Sequence, residues 1–319
     1  MEINYSENYT DALRACRLCP RNCGVNRLEG KTGYCGQNSE IRAARAALHF
    51  WEEPVLSGIQ STKDHGSGAV FFSGCNLRCV FCQNHDIALG EVGKVITPER
   101  LCEIFFELKE KGSYNINLVT ATPFIPQVCS ALSRARGEGL DIPVVFNCGG
   151  YESSEALRML EGLVDIYLPD MKYYSAESGK KYANAPDYFE KAKLAIDEMF
   201  RQVGSPVFGE DGMMKRGIIV RHLVLPGEIA ESKRILRYLH ETYGDDIYIS
   251  IMNQYTPMTD ILSKSPACSS MPDLFRKVTA DEYHRVVDFA VKIGIEKAFI
   301  QEGETAEESF IPAFDLEGI

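Results

Sequence analysis

Apolar and polar residues follow two alternating patterns from about residue 69 onward. Short runs rich in β-branched and aromatic residues predict buried strands, and the stretches between them repeat apolar residues with a helical period. The predicted strands span residues 69–72, 115–120, 143–147, 164–169, 217–226, 246–252 and 296–301. Strands that alternate with helices form right-handed βαβ units and a parallel sheet. The pattern therefore predicts an α/β fold, a full or partial (β/α) barrel.

Capping residues predict where the helices begin and end. Thr97, as N-cap before Pro98, begins one helix. The capping box of Thr279 and Glu282 begins the last helix, which Gly294 ends. Further helices are predicted after Pro126 and over residues 154–160, 186–203 and 230–243.

The chain before and after the barrel is expected to form smaller units. Residues 1–65 are predicted to be a cysteine-rich metal-binding segment with a covering helix over the alanine-rich stretch 42–54. Residues 66–260 would form the barrel, and residues 261–319 a helix, an extra strand and a tail. Within the covering segment Trp51, Glu52 and Glu53 are either a cover or a substrate contact, and paired glutamates usually lie on a solvated face.

Composition and charge indicate the cellular compartment and the classes of partner that are not expected. The 319 residues include 34 Lys and Arg against 45 Asp and Glu, a net charge of −11. Binding to nucleic acid needs clustered cations, so it is not expected. The chain shows no secretory signal and no apolar run near the roughly 18 residues of a membrane helix, so we expect a cytoplasmic protein that does not enter membranes. There thiols stay reduced, and clustered cysteines favour metal binding over disulfides.

Eleven cysteines divide into two clusters and several isolated residues. Cys102, Cys129 and Cys268 are isolated and are expected to be buried apolar residues. Cys75, Cys79 and Cys82 form a CxxxCxxC pattern directly after the first barrel strand. Three thiolates leave a tetrahedral zinc site incomplete, but they can hold three irons of a 4Fe–4S cluster and leave the fourth open. An alternative is a Cys₃His zinc site with His85 as fourth ligand.

The same segment resembles a known superfamily. CxxxCxxC with Phe81 before the third cysteine, at the end of a first barrel strand, is similar to the radical S-adenosylmethionine (radical SAM) superfamily. GCNLRCVFCQNHD (74–86), the DMK segment 170–172 and VRHLVLPG (220–227) resemble pyruvate formate-lyase activating enzymes, in particular an uncharacterised branch of their homologues. The resemblance covers about residues 66–260 and implies a partial (β/α)6-type parallel barrel.

The resemblance implies an activity and its cofactors. A 4Fe–4S cluster on Cys75, Cys79 and Cys82 would cleave S-adenosylmethionine (SAM) reductively and yield a 5′-deoxyadenosyl radical for hydrogen abstraction. The electron would come from a donor such as flavodoxin or ferredoxin. In the activating-enzyme version, the substrate is a backbone glycine of a partner, a glycyl radical enzyme. The alternatives are a radical SAM enzyme acting on a small molecule or peptide, and a non-catalytic iron–sulfur or zinc protein.

The resemblance also assigns SAM-binding positions. Lys172 would bind the SAM carboxylate while Asp170 shapes the site, and Arg221, in an apolar strand, would need SAM or an acid as partner. The family's GGE-type motif is replaced by Thr-Ala-Thr-Pro, which leaves the SAM amino group to Thr hydroxyls, to the backbone or to residues elsewhere. His222 is expected to pack on the opposite face of the strand from Arg221. The remaining cofactor-binding candidates are Phe81, Thr120, Thr122, Asn147 and Gln254.

A second cysteine set lies near the N-terminus. The N-terminal cysteine set, Cys16, Cys19, Cys23 and Cys35, supplies four thiolates within 20 residues. Four thiolates form a closed set that suits zinc or a second 4Fe–4S cluster. The sequence therefore predicts a structural or auxiliary metal site and does not distinguish the two metals.

Overall fold

The computed structural model describes residues 5–58, 65–90, 92–264, 270–301 and 312–319, so the prediction for Cys268 lies outside the described residues. Its strands form one sheet in the order β10-β9-β8-β6-β5-β4-β2-β1-β3, with β7 paired to β8. The strands are β1 Ile41–His49, β2 Ser67–Phe72, β3 Lys94–Ile96, β4 Asn115–Val119, β5 Val144–Cys148, β6 Ile166–Pro169, β7 Val207–Phe208, β8 Met214–Leu223, β9 Tyr248–Met252 and β10 Ala298–Ile300.

Seven consecutive strands of this sheet, from β2 to β10, are joined in chain order by six parallel pairings. The described strands at the two ends of the sheet do not pair with each other, so the barrel is open. The predicted α/β fold with a partial parallel barrel is confirmed. Each of the predicted strands is present, with bounds shifted by a few residues.

Helices connect the parallel strands and cover the outside of the sheet. They are α1 Tyr5–Arg14, α2 Pro54–Ser57, α3 His85–Ala88, α4 Pro98–Glu110, α5 Ile125–Gly137, α6 Ser154–Arg158, α7 Ala176–Ala183, α8 Tyr188–Val203, α9 Ile229–Tyr243, α10 Thr259–Leu262 and α11 Ala280–Ile293. Both predicted caps are confirmed: Thr97 accepts from Arg100 N at 3.2 Å, and Thr279 and Glu282 form a capping box. No helix in the described part of the chain combines the length and apolarity needed to cross a bilayer.

The covering helix predicted over residues 42–54 is wrong. Residues 41–49 are strand β1, antiparallel to both β2 and β3, and only the four residues of α2 follow as a helix. Ala43, Ala44 and Ala46 are buried there. Pairing with β2 along residues 43–49 and with β3 at residues 41–43 satisfies backbone groups of this stretch, and that outweighs the helical preference of its alanines.

The segment after β1 enters the inside of the barrel. Leu56 of α2 is fully buried and packs with apolar side chains on the inner faces of three neighbouring strands. Asn115 on β4 donates from Nδ2 to the Leu56 carbonyl at 2.7 Å and anchors α2 there. The apolar partners of Leu56 are Val145, Ile166, Leu168, Met214 and Ile219. This plug fills the barrel interior near the beginnings of the strands and leaves the space at their carboxyl ends for a site.

Candidate active site

A cavity of about 240 Å³ lies inside the barrel at the carboxyl ends of the parallel strands, where functional residues of (β/α) barrels lie. It brings together residues that are far apart in sequence. The predicted site residues that line it are Cys75, Cys79, Phe81, Cys82, Thr120, Asn147, Asp170, Lys172, Arg221 and Gln254. Of the predicted SAM-binding positions, only Thr122 does not line this cavity.

The three cysteines lie on the cysteine loop, residues 73–84, which follows β2. Gly74 has φ +87°, and a Cβ there would lie 2.7 Å from the Cys35 carbonyl oxygen and 2.5 Å from Gln37 Cγ. The loop therefore turns off the strand at a position that only glycine fits. Tight packing of the loop against the segment of Cys35 is the reason.

Burial governs the acidity of these thiols. It raises the pKa of Cys79 to about 11 and of Cys82 to about 12, while the charge of Lys172 opposes both shifts. The Tyr173 hydroxyl donates to Cys79 Sγ at 3.0 Å, which stabilises the thiolate. Since metals bind thiolates, loading this site must release protons. Sequence reasoning did not identify Tyr173.

The donor set fits an iron–sulfur cluster better than a single ion. Among the described residues, no three His, Cys, Asp or Glu side chains come together so that they could hold one metal ion. A 4Fe–4S cluster spreads its thiolate ligands over separate irons, so the three thiols need not converge on one point. His85 Nε2 lies 2.7 Å from Asp86 Oδ1, where it is paired with a carboxylate.

An aromatic group supports the loop from behind. Phe81 is buried, and its ring meets those of Tyr173, Tyr182 and Tyr255 edge-on, at centroid distances of 6.4, 5.8 and 5.9 Å. Edge-to-face contacts fix ring orientation as well as burying area. Phe81 therefore holds the third cysteine of the loop against the barrel wall.

Asp170 and Lys172 form an ion pair in the cavity wall. Lys172 Nζ lies 2.5 Å from Asp170 Oδ2. Burial alone would lower the pKa of Lys172, but the charges of Asp170 and Cys79 raise it above its usual value. Lys172 is thus a fixed cation beside the cysteine loop. Gly150, with φ +74°, lets the neighbouring turn approach, since a Cβ there would lie 2.2 Å from the Asp170 carbonyl oxygen.

The Thr-Ala-Thr-Pro segment has two different roles. Thr120 lines the cavity with φ +62°, a left-handed conformation that is rare for a β-branched residue. Thr122 lies behind the cavity wall, where its hydroxyl donates to Glu152 Oε1 at 2.8 Å. Burial raises the pKa of Glu152 to about 7, although hydrogen bonds from Thr122 and Cys148 oppose the shift. Glu152 was not predicted from the sequence, and nothing in its local pattern marks it.

Arg221 has acidic partners from the chain itself. Its Nε donates to Glu53 Oε1 at 2.8 Å and its Nη2 to Glu53 Oε2 at 2.7 Å, and Nη2 also contacts Glu52. The expectation that Glu52 and Glu53 lie on a solvated face is wrong, because both carboxylates are buried. Glu52 lines the cavity and accepts from Asn117 Nδ2 at 2.9 Å.

His222 is a buried packing residue, whereas Asn147 and Gln254 line the cavity. His222 is buried on the other face of β8 from Arg221, with Nδ1 2.8 Å from the Met171 carbonyl and Nε2 2.9 Å from Ser232 Oγ, as expected for a packing residue. Burial lowers its pKa to about 4. Asn147 lies at the end of β5, and the Gln254 carbonyl accepts from Gln83 of the cysteine loop at 2.7 Å.

The N-terminal cysteine set lies against the cysteine loop. Arg21, between Cys19 and Cys23, donates from Nε to the Asn76 carbonyl at 2.8 Å. Burial raises the pKa of Cys19 to about 12 and also raises that of Cys35, whose shift the charge of Arg27 opposes. The set therefore packs on the loop that carries the other cysteines.

Comparison with known proteins places this arrangement in a family. A family model described as the radical SAM superfamily matches residues 69–239, more than half of the chain. The chain belongs to the radical SAM superfamily. Membership implies an enzyme that binds a 4Fe–4S cluster and SAM.

Two relatives from Methanocaldococcus jannaschii are uncharacterised. This chain is 29% identical over 298 residues to Uncharacterized protein MJ0674, and the match covers 89% of this chain and 76% of the relative. It is 27% identical over 214 residues to Uncharacterized protein MJ0808, covering 61% of this chain and 60% of the relative.

Two solved structures are similar at lower identity. A radical SAM methyltransferase from Sphaerobacter thermophilus has a TM-score of 0.49 and 13% identity over 75% of this chain and 67% of that chain. SuiB of Streptococcus suis, bound to precursor peptide SuiA, has a TM-score of 0.45 and 9% identity over 72% of this chain and 47% of that chain.

Proposed function

We propose that Cys75, Cys79 and Cys82 hold the 4Fe–4S cluster and that this chain cleaves SAM there to start a hydrogen abstraction. When bound, such a cluster supplies the electron that cleaves SAM to methionine and a 5′-deoxyadenosyl radical, which abstracts hydrogen from a substrate. The observation that carries the proposal is the cavity in which the three thiols face the Asp170–Lys172 ion pair. A site inside the barrel also limits the access of water and stray hydrogen donors to the reacting atoms.

The residues of the chain have distinct tasks in this proposal. Lys172, a cation at neutral pH, binds the carboxylate of SAM, and Asp170 orients the lysine through their ion pair. Thr120 and Asn147 border the same space from the ends of β4 and β5 and offer a hydroxyl and an amide to the rest of SAM. Gln254, tied to the cysteine loop through Gln83, would border the adenine.

Anaerobic reconstitution with iron and sulfide tests the proposal. After chemical reduction, added SAM should yield 5′-deoxyadenosine and methionine in equal amounts, measured by liquid chromatography and mass spectrometry. A protein that holds its cluster and gives neither product would overturn the proposal. In cells we expect a low-potential protein such as flavodoxin or ferredoxin to supply the electron.

For the substrate we propose first a backbone glycine of a partner protein. The support is the resemblance of segments 74–86 and 220–227 to glycyl radical enzyme activating enzymes. Incubation of the reduced enzyme and SAM with a glycyl radical enzyme encoded beside this chain should give the doublet of a glycyl radical by electron paramagnetic resonance. Absence of that signal while 5′-deoxyadenosine forms would favour another substrate.

A small molecule or short peptide is the second candidate, and one observation favours it. Glu52 and Arg221 line the cavity, and Arg221 also pairs with the buried Glu53; these three charged side chains, here called the floor, are suited to recognise a polar ligand held inside the barrel. The changed segment Thr120–Pro123 also departs from the activating enzymes that the chain otherwise resembles.

We also propose that the N-terminal cysteine set holds a metal, either zinc or a second iron–sulfur cluster. Support comes from the four cysteines that the sequence supplies within 20 residues and from the packing of this set on the cysteine loop through Arg21. In a protein with Cys75, Cys79 and Cys82 all changed to Ala, residual iron and sulfide would indicate a cluster, and residual zinc a structural site. A metal-free protein would contradict the proposal.

A further inference from the structure

The floor of the cavity carries more negative than positive charge. Glu52 and Glu53 place two carboxylates against the single guanidinium of Arg221, and all three side chains are buried. The pKa of Glu53 is lowered: burial alone would raise it, but Arg221 outweighs that effect, so the carboxylate is ionised at neutral pH. Two negative charges against one positive charge leave a surplus of one.

The charged groups around the floor do not cancel this surplus. Asp170, a further acid whose charge acts on Arg221, is already paired with Lys172. Burial lowers the pKa of His49, which lines the same cavity, so its imidazole is neutral at pH 7. Arg45 is paired with Asp315 and Glu317. Among the described residues, no further cation balances Glu52.

An unpartnered acceptor lies directly against Glu52. Asn117 has 0% of its surface exposed and donates from Nδ2 to Glu52 Oε1. Its own Oδ1 is buried and has no hydrogen-bond partner in the described part of the chain. Asn117 lies two residues before Val119 on β4, so both side chains are on the inner face, where Val119 lines the cavity. Asn117 lies next to Glu52 and outside the cavity lining, and its unpaired oxygen is a further acceptor without a donor beside this carboxylate.

A surplus buried charge costs free energy unless an opposite charge is brought to it. Arg221 is already paired with both glutamates, so the floor offers a ligand the carboxylate oxygens of Glu52, which are acceptors. A ligand that suits them carries a positive charge and N–H donors together, as a protonated amine or a guanidinium does.

We propose that this floor binds a protonated amine of a small-molecule substrate inside the cavity. The inference rests on the second candidate in the proposed function, a small-molecule substrate. Glu52 would bind the cation, and Arg221 and Asn117 would hold Glu52 in position. SAM also carries a positive charge, so the test must separate the two cations.

Calorimetric titration of the reconstituted protein with benzylamine, and with benzyl alcohol as its neutral counterpart, tests this charge preference. Trp51 is the only tryptophan and lines the cavity, so its fluorescence reports the same binding event. We expect benzylamine to bind at least about ten-fold more tightly than benzyl alcohol, the effect of one ion pair in a buried site. Equal affinities, or no binding of the amine, would overturn the proposal.

The Glu52→Gln variant locates the preference. It keeps the size of the side chain and removes the surplus charge, so we expect benzylamine and benzyl alcohol to bind it about equally. Glu177→Gln, at an exposed position on α7, should keep the wild-type preference. A preference that persists in Glu52→Gln would overturn the assignment to this floor.

Titration in the presence of saturating SAM separates the two cations. The proposal expects benzylamine to bind beside SAM, with its affinity for the wild type retained. If SAM displaces the amine and Glu52→Gln weakens SAM binding by the same factor, the floor serves SAM and the proposal is wrong. None of these measurements depends on SAM cleavage, so their failure is distinct from failure of the proposed radical chemistry.

Discussion

Arg21 and Asn76 connect the two cysteine clusters. The Nε atom of Arg21, which lies within the N-terminal cysteine set, donates to the carbonyl of Asn76 in the cysteine loop at 2.8 Å. The other guanidinium nitrogens donate to the carbonyls of Ala183 at 2.7 Å and Asn184 at 2.6 Å. One side chain thus ties the N-terminal cysteine set to the loop and to the end of α7.

Replacing Arg21 by Ala should therefore loosen the cysteine loop. Three carbonyls lose a charged donor, and we expect the free energy of unfolding to fall by about 1–3 kcal/mol. Urea denaturation of the metal-free protein measures this, and Arg17→Ala, at an exposed side chain nearby, is the matched control. Equal unfolding free energies for the two variants would contradict this role of Arg21.

The charged side chains of the floor predict that Arg221→Met lowers the free energy of unfolding more than Arg21→Ala does. The change leaves Glu52 and Glu53 buried without a cation, and breaking a buried ion pair in this way costs about 3–5 kcal/mol. The exposed Arg216 on the same strand gives the control variant Arg216→Met, expected within about 0.5 kcal/mol of the wild type. Thermal or urea unfolding of both variants measures the difference. Similar free energies of unfolding for the two variants would mean that the ion pairs of Arg221 with Glu52 and Glu53 do not stabilise the fold.

Glu152 should make stability depend on pH. Its pKa is about 7 in the folded protein against an ordinary 4.5, so between these values the folded protein keeps a proton that the unfolded chain releases. Stability contributed by the protonated group is present below pH 4.5 and is lost as the pH rises through 7. The difference between the two pKa values corresponds to about 3 kcal/mol.

Glu152→Gln removes this dependence, because the amide does not ionise. Relative to the wild type, the variant should gain about 3 kcal/mol between pH 4.5 and 8, measured by urea unfolding at several pH values. Glu177→Gln serves again as the control for an exposed acid. Parallel curves for wild type and Glu152→Gln would show that Glu152 ionises at its ordinary pKa.

The conformation of Thr120 predicts a separation of stability from activity. A left-handed Thr costs roughly 1 kcal/mol or more, and glycine adopts that conformation without the cost of a Cβ. We expect Thr120→Gly to unfold at an equal or higher urea concentration than the wild type, while its rate of SAM cleavage falls because a hydroxyl in the cavity is lost. The prediction would be contradicted if Thr120→Gly were less stable than the wild type and still cleaved SAM at the full rate.

The alternation of strands and helices was predictable because its signals are local. Buried parallel strands are short apolar runs, and caps such as Thr97 and Thr279 are read from a few neighbouring residues. The cysteine loop was found for the same reason, since its thiols lie within eight residues of one another. The parallel sheet and its order of strands followed from those local signals.

The features that the sequence did not predict depend on contacts between residues far apart in the chain. Strand β1 contains four alanines, at 43, 44, 46 and 47, and its pairing with β2 and β3 cannot be read from its own sequence. Glu53 meets Arg221 across 168 residues, so its burial has no local signature. Glu152 and Tyr173 likewise act through partners, Thr122 and Cys79, that only the folded chain brings near.

The most direct test of the central claim compares two single-cysteine variants. Cys79 lies on the cysteine loop, whereas Cys102 is a buried cysteine on α4, outside the cavity, where its thiol approaches Glu138 at 3.8 Å. After reconstitution and reduction, Cys102→Ala should convert SAM to 5′-deoxyadenosine as the wild type does, and Cys79→Ala should give no more than the reductant alone. Retained 5′-deoxyadenosine formation by Cys79→Ala would contradict the assignment of the cluster to this loop.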